Sequence, residues 1–321
     1  MADHSEIAAA VASGRYLMIS GPTAAGKSGL ALALALALAE QGGGVVINAD
    51  SMQLYGDLRV ITARPDPRDE ALVPHRLYGV VDGAERASVA TWLDMVGDEV
   101  AAARAAGRLP IIVGGTGMYL QAALNGIAPM PKVPEDIHAA CSDDLSRIGG
   151  AGFRAELAKL DPVTADRLFD GDSQRLVRAM GVVRATGRPI SAWQKDPHEG
   201  ALAGSAVTIA VMPQRDQTYR RIDDRFAAMM NAGAVEEVEA LLKRGLDPSL
   251  PVMKALGVRE IGAMLAGEIS RERAVDLASR DSRHYAKRQM TWLRNNFNAE
   301  LIVSEQFSES MLQRIFSILS K

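Results

Sequence analysis

Gly21, Pro22, Thr23, Ala24, Ala25, Gly26, Lys27 and Ser28 match G-x-x-x-x-G-K-S/T and stand between an apolar strand candidate, Tyr16 to Ser20, and a run of Ala and Leu. A glycine loop of this spacing turns a strand sharply into a helix and points backbone N–H groups at an anion beyond the strand end. Residues 30–39 alternate Ala and Leu, a period that suits a strand. Yet both are strong helix formers, no residue is β-branched, and Gly42, Gly43 and Gly44 supply a stop, so the run is predicted helical. Leu at every second position wraps much of a helix, which predicts burial on most sides.

Val45 to Ala49 is a second strand, and the unit formed with Tyr16 to Ser20 is βαβ, hence parallel with a right-handed crossover. Another helix over Val89 to Ala106, closed by Gly107, leads into the strand Leu109 to Val113, the turn Gly114 to Gly117 and a helix from Met118 to Leu124. Pro129, Pro131 and Pro134 mark a linker, and from Ile137 to Lys195 the pattern is helical without a strand. Strand signals return at Ala206 to Met212 and at Leu301 to Val303. The expected class is α/β, a P-loop NTPase-like parallel sheet core with an inserted all-helical domain. The expected boundaries are 1–132 and 206–321 for the core with its C-terminal helices, and 133–205 for the insertion.

A chain 48% hydrophobic and 23% charged buries enough apolar surface to exclude disorder. One cysteine, Cys141, excludes an intrachain disulfide and a Cys-cluster zinc site and suits a reducing cytoplasm. Residues 1–14 carry Asp3 and Glu6 where an export signal needs positive charge, and the run from Leu30 to Ala39, closed by Glu40, is about half the ~20 residues of a membrane span. No unexplained apolar stripe calls for a second copy, so a monomer is expected. A net charge of -3 offers no bulk attraction to nucleic acid, so any such contact must be local.

Lys27 adds a mobile cation to the loop amides, and the Ser28 hydroxyl can hold Mg2+. Asp50 and Thr116 follow two of the strands and should face the same crevice as the loop. A carboxylate there can ligate Mg2+, act as a general base, or cap the next turn. No acidic pair follows any strand, so ATP hydrolysis is poorly supported, while a small-molecule P-loop kinase and a nucleotide-gated switch remain as alternatives.

Residues 21–28 together with Asp50-Ser51-Met52-Gln53-Leu54-Tyr55, Thr62-Ala63-Arg64-Pro65, Gly114-Gly115-Thr116-Gly117-Met118-Tyr119 and Lys287-Arg288-Gln289-Met290-Thr291-Trp292-Leu293-Arg294 resemble, in order, the signatures of the tRNA dimethylallyltransferases. The resemblance implies transfer of a dimethylallyl group from dimethylallyl diphosphate to N6 of adenosine-37, just 3′ of the anticodon. It implies Asp50 as base, Thr116 at the reacting centre, Arg215 on the diphosphate, and Ser51, Met52 and Gln53 against a flipped base. It also implies tRNA contacts from Gln174, Arg175, Leu176, Val177 and Arg178, from the segment Lys254 to Arg259, and from the closing motif with Arg288. The chemistry is consistent: a poor amine nucleophile must lose a proton, and the departing diphosphate needs cations.

Two basic clusters suit an anticodon stem-loop. Arg280, Arg283, Lys287 and Arg294 fall within roughly a 60° arc at 100° per residue of helix. In the insertion, Arg167, Arg175, Arg178, Arg184 and Arg188 outnumber Asp170 and Asp172. Departures from the family pattern are Ala25 for Ser, Ser28 for Thr, Met118 for Leu, and Val258 where many relatives carry Tyr.

Overall fold

The computed structural model describes residues 13–39, 42–304 and 309–319. Residues 1–12, on which most of the export reading rests, and Glu40 lie outside them. In chain order the elements are β1 (Tyr16–Ser20), α1 (Lys27–Ala37), β2 (Gly44–Asn48), α2 (Pro67–Leu72), β3 (His75–Arg76), α3 (Val89–Ala105), β4 (Leu109–Gly114) and α4 (Gly117–Asn125). Then come α5 (Glu135–Leu160), α6 (Pro162–Arg167), α7 (Ser173–Thr186), α8 (Ile190–Trp193), β5 (Ala206–Val211), α9 (Arg215–Asn231) and α10 (Ala234–Lys243). A 3-10 turn (Val252–Lys254), α11 (Val258–Leu265), α12 (Arg271–Asn296), β6 (Leu301–Val303) and α13 (Glu309–Leu319) follow.

The six strands form one parallel sheet in the order β3-β2-β4-β1-β5-β6. Every residue of β1, β2 and β4 is buried, as continuous apolar strands covered on both faces must be. The register aligns the strand ends: Ser20 pairs with Gly114 and Ala210, and Asn48 with Val113. The segments after β1, β2, β4 and β5 therefore leave the sheet at one edge, where ligands of such sheets bind.

The Ala/Leu run is a helix, but its burial is one-sided. Leu30, Leu34 and Leu38 repeat every four residues and face the sheet, whereas Leu36 is 40% exposed. A period of two maps onto several sides of a helix, and only the i, i+4 subset finds the core; each such Leu contributes about 1.5–3 kcal/mol by leaving water.

Contacts divide the chain into two compact units, one of residues up to Leu124 and from Leu202 onward, the other Asn125–Ala201. These edges fall eight and four residues before the expected 133 and 205. Ile127 and Glu199 exchange backbone hydrogen bonds of 2.9 Å, which ties the proline linker into the second unit, while the Leu202 N–H donates to Ala123 and the Ser205 carbonyl accepts from Tyr16, which ties 202–205 to the sheet.

Within the second unit α5 breaks at Gly149 (φ 74°) and its core gathers Cys141, Phe153, Leu157, Leu176, Val177 and Met180. Asp161 is fully buried and accepts four hydrogen bonds, from the N–H and hydroxyl of Thr164 and of Ser191 at 2.7–3.0 Å, so one carboxylate caps α6 and α8.

Candidate active site

The loop 21–28 ends in Gly26 at φ 96°, a left-handed conformation that glycine adopts at no steric cost, and α1 begins at the next residue. Gly21 sits so close to β5 that a Cβ would lie 2.5 Å from the Val211 carbonyl oxygen. Lys27 folds back and donates from Nζ to the Pro22 carbonyl at 2.8 Å. Desolvation lowers its ammonium to about 8; the Asp50 carboxylate opposes that shift, and Arg225 adds to it. Arg225 itself is lowered by burial and steadied by Asp50, and its Nη2 donates to the Thr23 hydroxyl at 2.5 Å.

Gln289 of α12 joins this loop to the β4 turn. Its Oε1 accepts the Thr23 N–H at 2.8 Å and its Nε2 donates to the Gly115 carbonyl at 2.9 Å. A Cβ on Gly115 would stand 2.2 Å from that Nε2, so any side chain there would displace the Gln289 amide.

Asp50 leaves β2 through a buried bracket. Asn48 accepts the Asp50 N–H at 2.8 Å and donates to the carbonyls of Asp50 and Leu77, while its own carbonyl accepts from the buried Trp92 indole at 2.9 Å. Oδ1 of Asp50 accepts the Met52 N–H at 3.0 Å, the local turn-forming bond typical of Asp. Thr116 accepts the Ser51 N–H at 3.0 Å. The pKa of the Tyr285 hydroxyl is raised first by burial and then by Asp50, with Thr116, Arg288 and Gln289 opposing the rise.

A cavity of about 290 Å3 opens among these groups. Its floor is buried and apolar, from Ile61, Ile222, Phe226 and Met229, and its mouth carries the exposed Lys254 and Arg288. Of the residues expected from sequence, Thr23, Asp50, Ser51, Met52, Lys254 and Arg288 line it. Arg288 also lies over the Tyr285 ring at 5.6 Å.

Other expected residues lie outside the cavity wall. Arg215 is exposed, absent from the cavity wall, and stacked at 5.0 Å over Tyr219, whereas Arg225 one face further along α9 reaches the phosphate loop. Gln53 does not face the cavity: its amide donates to the carbonyls of Thr62 and Ala63 at 2.8 and 3.0 Å. Leu176 and Val177 are core residues of the second unit, because they occupy the inward face of α7 with Met180. Gln174 and Arg175 of that helix are exposed, and Arg178 is half-buried, donating to the Pro131 carbonyl.

The basic arc of α12 is partly neutralised. Arg280 pairs with Asp281, which also draws Arg259, and Arg283 pairs with Asp223. Lys287 and Arg294 are exposed and have no ion pair among the described residues. No three His, Cys, Asp or Glu side chains gather into a metal site among the described residues. Ser28, exposed at the start of α1, leaves its hydroxyl open to an oxygen-seeking cation that keeps most of its ligands from water and phosphate.

Residues 53–296 match the model of the family described as IPP transferase. The chain is 49% identical to the tRNA dimethylallyltransferase of Paramagnetospirillum magneticum, with 94% of each chain covered, and 48% identical to that of Rhodospirillum rubrum, with 94% of this chain and 93% of that one. Among solved structures it resembles the full-length tRNA isopentenylpyrophosphate transferase of Bacillus halodurans with a TM-score of 0.67 and 29% identity, covering 96% of both chains. On the strength of these matches across nearly its whole length, the chain belongs to the IPP transferase family.

Proposed function

We propose that the protein transfers the dimethylallyl group of dimethylallyl diphosphate to N6 of the adenosine just 3′ of the tRNA anticodon, releasing diphosphate. One observation carries the reading: the Asp50 carboxylate shares a cavity with Thr23 and Arg225 of the phosphate seat, and its charge is felt by both Lys27 and Arg225. The base and the leaving-group cations are thus part of one site.

In the reaction the allylic C–O bond breaks, a C–N6 bond forms, and the N6 proton passes to Asp50. Lys27, Arg225 and the amides at the start of α1 take the negative charge that gathers on the diphosphate. The Ser28 hydroxyl would hold Mg2+, which would supply further positive charge at the leaving group. Thr116, whose hydroxyl oxygen accepts the Ser51 N–H, hydrogen-bonds at the reacting centre. Ser51 and Met52 meet the flipped adenine, and the apolar floor takes the hydrocarbon. Lys254, Arg288, Lys287 and Arg294 contact the anticodon stem-loop, as do Gln174 and Arg175 of the second unit.

The enzyme acts in the cytoplasm as a monomer: a single cysteine suits a reducing compartment, and the sequence has no unexplained apolar stripe that calls for a second copy. A small-molecule kinase would use the same loop, but the relatives matched do not favour it.

The test is incubation with Mg2+, labelled dimethylallyl diphosphate and unmodified tRNA, beside an Asp50→Ala variant, followed by nucleoside mass analysis. Label on N6 of one adenosine with much slower transfer by the variant is expected. ATP-dependent phosphorylation of a small molecule without transfer to tRNA would overturn the reading.

A further inference from the structure

The cavity wall contributed by Ile61 and Thr62 belongs to a loop with no regular secondary structure, and two side chains hold its backbone. The N–H groups of Arg59, Val60 and Ile61 all donate to the carboxylate of Glu237, in the first turn of α10, with 2.9 Å for Val60 and Ile61. On the carbonyl side Gln53 takes Thr62 and Ala63. Three consecutive amides form a nest for an anion, and here the anion is supplied by the protein itself.

What this fixes is the floor. Ile61, Phe226 and Met229 are 7%, 5% and 8% exposed. A Cβ on Gly257 would lie 2.8 Å from Ile61 Cδ1 and 2.9 Å from Phe226 Cε2, so both side chains are packed hard over that glycine. Arg225, bonded to Thr23, and Phe226 are neighbours on α9, with Ile222 and Met229 along the same side. A diphosphate seated at Thr23 and Arg225 therefore directs its hydrocarbon toward a closed apolar end.

We propose that Glu237 is a positioning residue which, by holding the amides of residues 59–61, sets Ile61 against Phe226 and so limits the allylic chain to five carbons. The proposal rests on the dimethylallyl reading above. Geranyl diphosphate, with ten carbons, presents the same allylic C–O bond, the same diphosphate leaving group and the same proton transfer to Asp50. Its exclusion is then steric rather than chemical.

The experiment compares kcat/KM for dimethylallyl and geranyl diphosphates with unmodified tRNA, reading product masses, for the full-length wild type, Glu237→Gln and Phe226→Leu. The wild type should transfer the five-carbon group alone. Glu237→Gln replaces one acceptor oxygen with an NH2 that cannot accept; its preference should fall at least about tenfold, with KM for dimethylallyl diphosphate raised and kcat within about threefold. Phe226→Leu shortens the floor directly and should shift the preference the same way.

A folded Glu237→Gln with wild-type preference, an unchanged preference in Phe226→Leu, or a wild type that uses both chains equally would each overturn the proposal. A wild type that modifies tRNA with neither diphosphate instead removes the functional reading beneath it.

Discussion

Replacing Gln289 with Leu removes both ends of the clamp between the phosphate loop and the β4 turn while keeping most of the volume. The bond to the Gly115 carbonyl is buried, and the one from the Thr23 amide is partly so. A buried carbonyl left unpaired costs about 1–3 kcal/mol, and the half-exposed amide, which water can reach, adds up to about 1 kcal/mol. The sum is about 1–4 kcal/mol, or about 2–8 °C in Tm for a unit of this size. Chemistry should suffer as well, because Gln289 sets the distance from Thr23 to the turn that bears Thr116, and a 1 Å error in such a distance costs up to about a hundredfold in rate. Glu at the same position keeps the acceptor for Thr23 but sets an oxygen against the Gly115 carbonyl, so its activity should recover as the pH is lowered and the carboxyl gains a proton to donate. Thermal melts and steady-state kinetics across pH decide it. A Leu variant that melts within about 1 °C of wild type and keeps kcat within twofold refutes the clamp.

Arg225→Ala should raise KM for the allylic diphosphate by about a hundredfold and Arg215→Ala by less than about twofold, measured at saturating tRNA. Lys27, brought by desolvation to about 8, should make kcat/KM for the diphosphate fall as pH rises through about 8, and Lys27→Arg should remove that dependence. Lys287→Glu should weaken tRNA binding and lower the slope of log affinity against log salt by about one or two, read by filter binding. Asp161→Ala should cost about 2–4 kcal/mol, since two helix caps go at once. Burial pushes that carboxyl up, but its four hydrogen bonds outweigh burial and hold it below the usual range. The stabilisation is therefore present above the ordinary carboxylate pKa and disappears as pH falls through the lowered folded value, which urea melts at several pH values would follow.

The phosphate loop, Asp50 and Thr116 were legible because each is local to a strand end, and parallel register brings strand ends together. Arg225 was not. It is one of four arginines on α9, at 215, 220, 221 and 225, and only the docking of that helix decides which of them turns toward Thr23. A weak signal existed, since Arg225 falls among the apolar positions Ile222, Phe226 and Met229 rather than on the charged side. Leu176 and Val177 show the opposite error, in which a segment matched as a whole lends a ligand role to positions whose apolarity already assigned them to a core. The β3 strand has two residues, His75 and Arg76, and no hydrophobic pattern to announce it. Gln53 looked like a base-reading amide because it follows Asp50, but the carbonyls it satisfies lie nine and ten residues downstream.

The place of β1 in the sheet order affects how the chain comes off the ribosome. It is the first strand made, yet its two neighbours are β4 and β5, so its hydrogen-bonding edges stay open while the chain to residue 114 on one side and to residue 211 on the other is synthesised. At translation speeds of 5–20 residues per second, the wait from β1 to β5 lasts about 10–40 s. Through that interval Leu17, Met18 and Ile19 are an apolar strand without partners, the kind of segment that pairs with other chains or recruits a chaperone. The second unit, contiguous over Asn125–Ala201, can close on its own meanwhile, so the nascent protein is expected to order its middle before its centre.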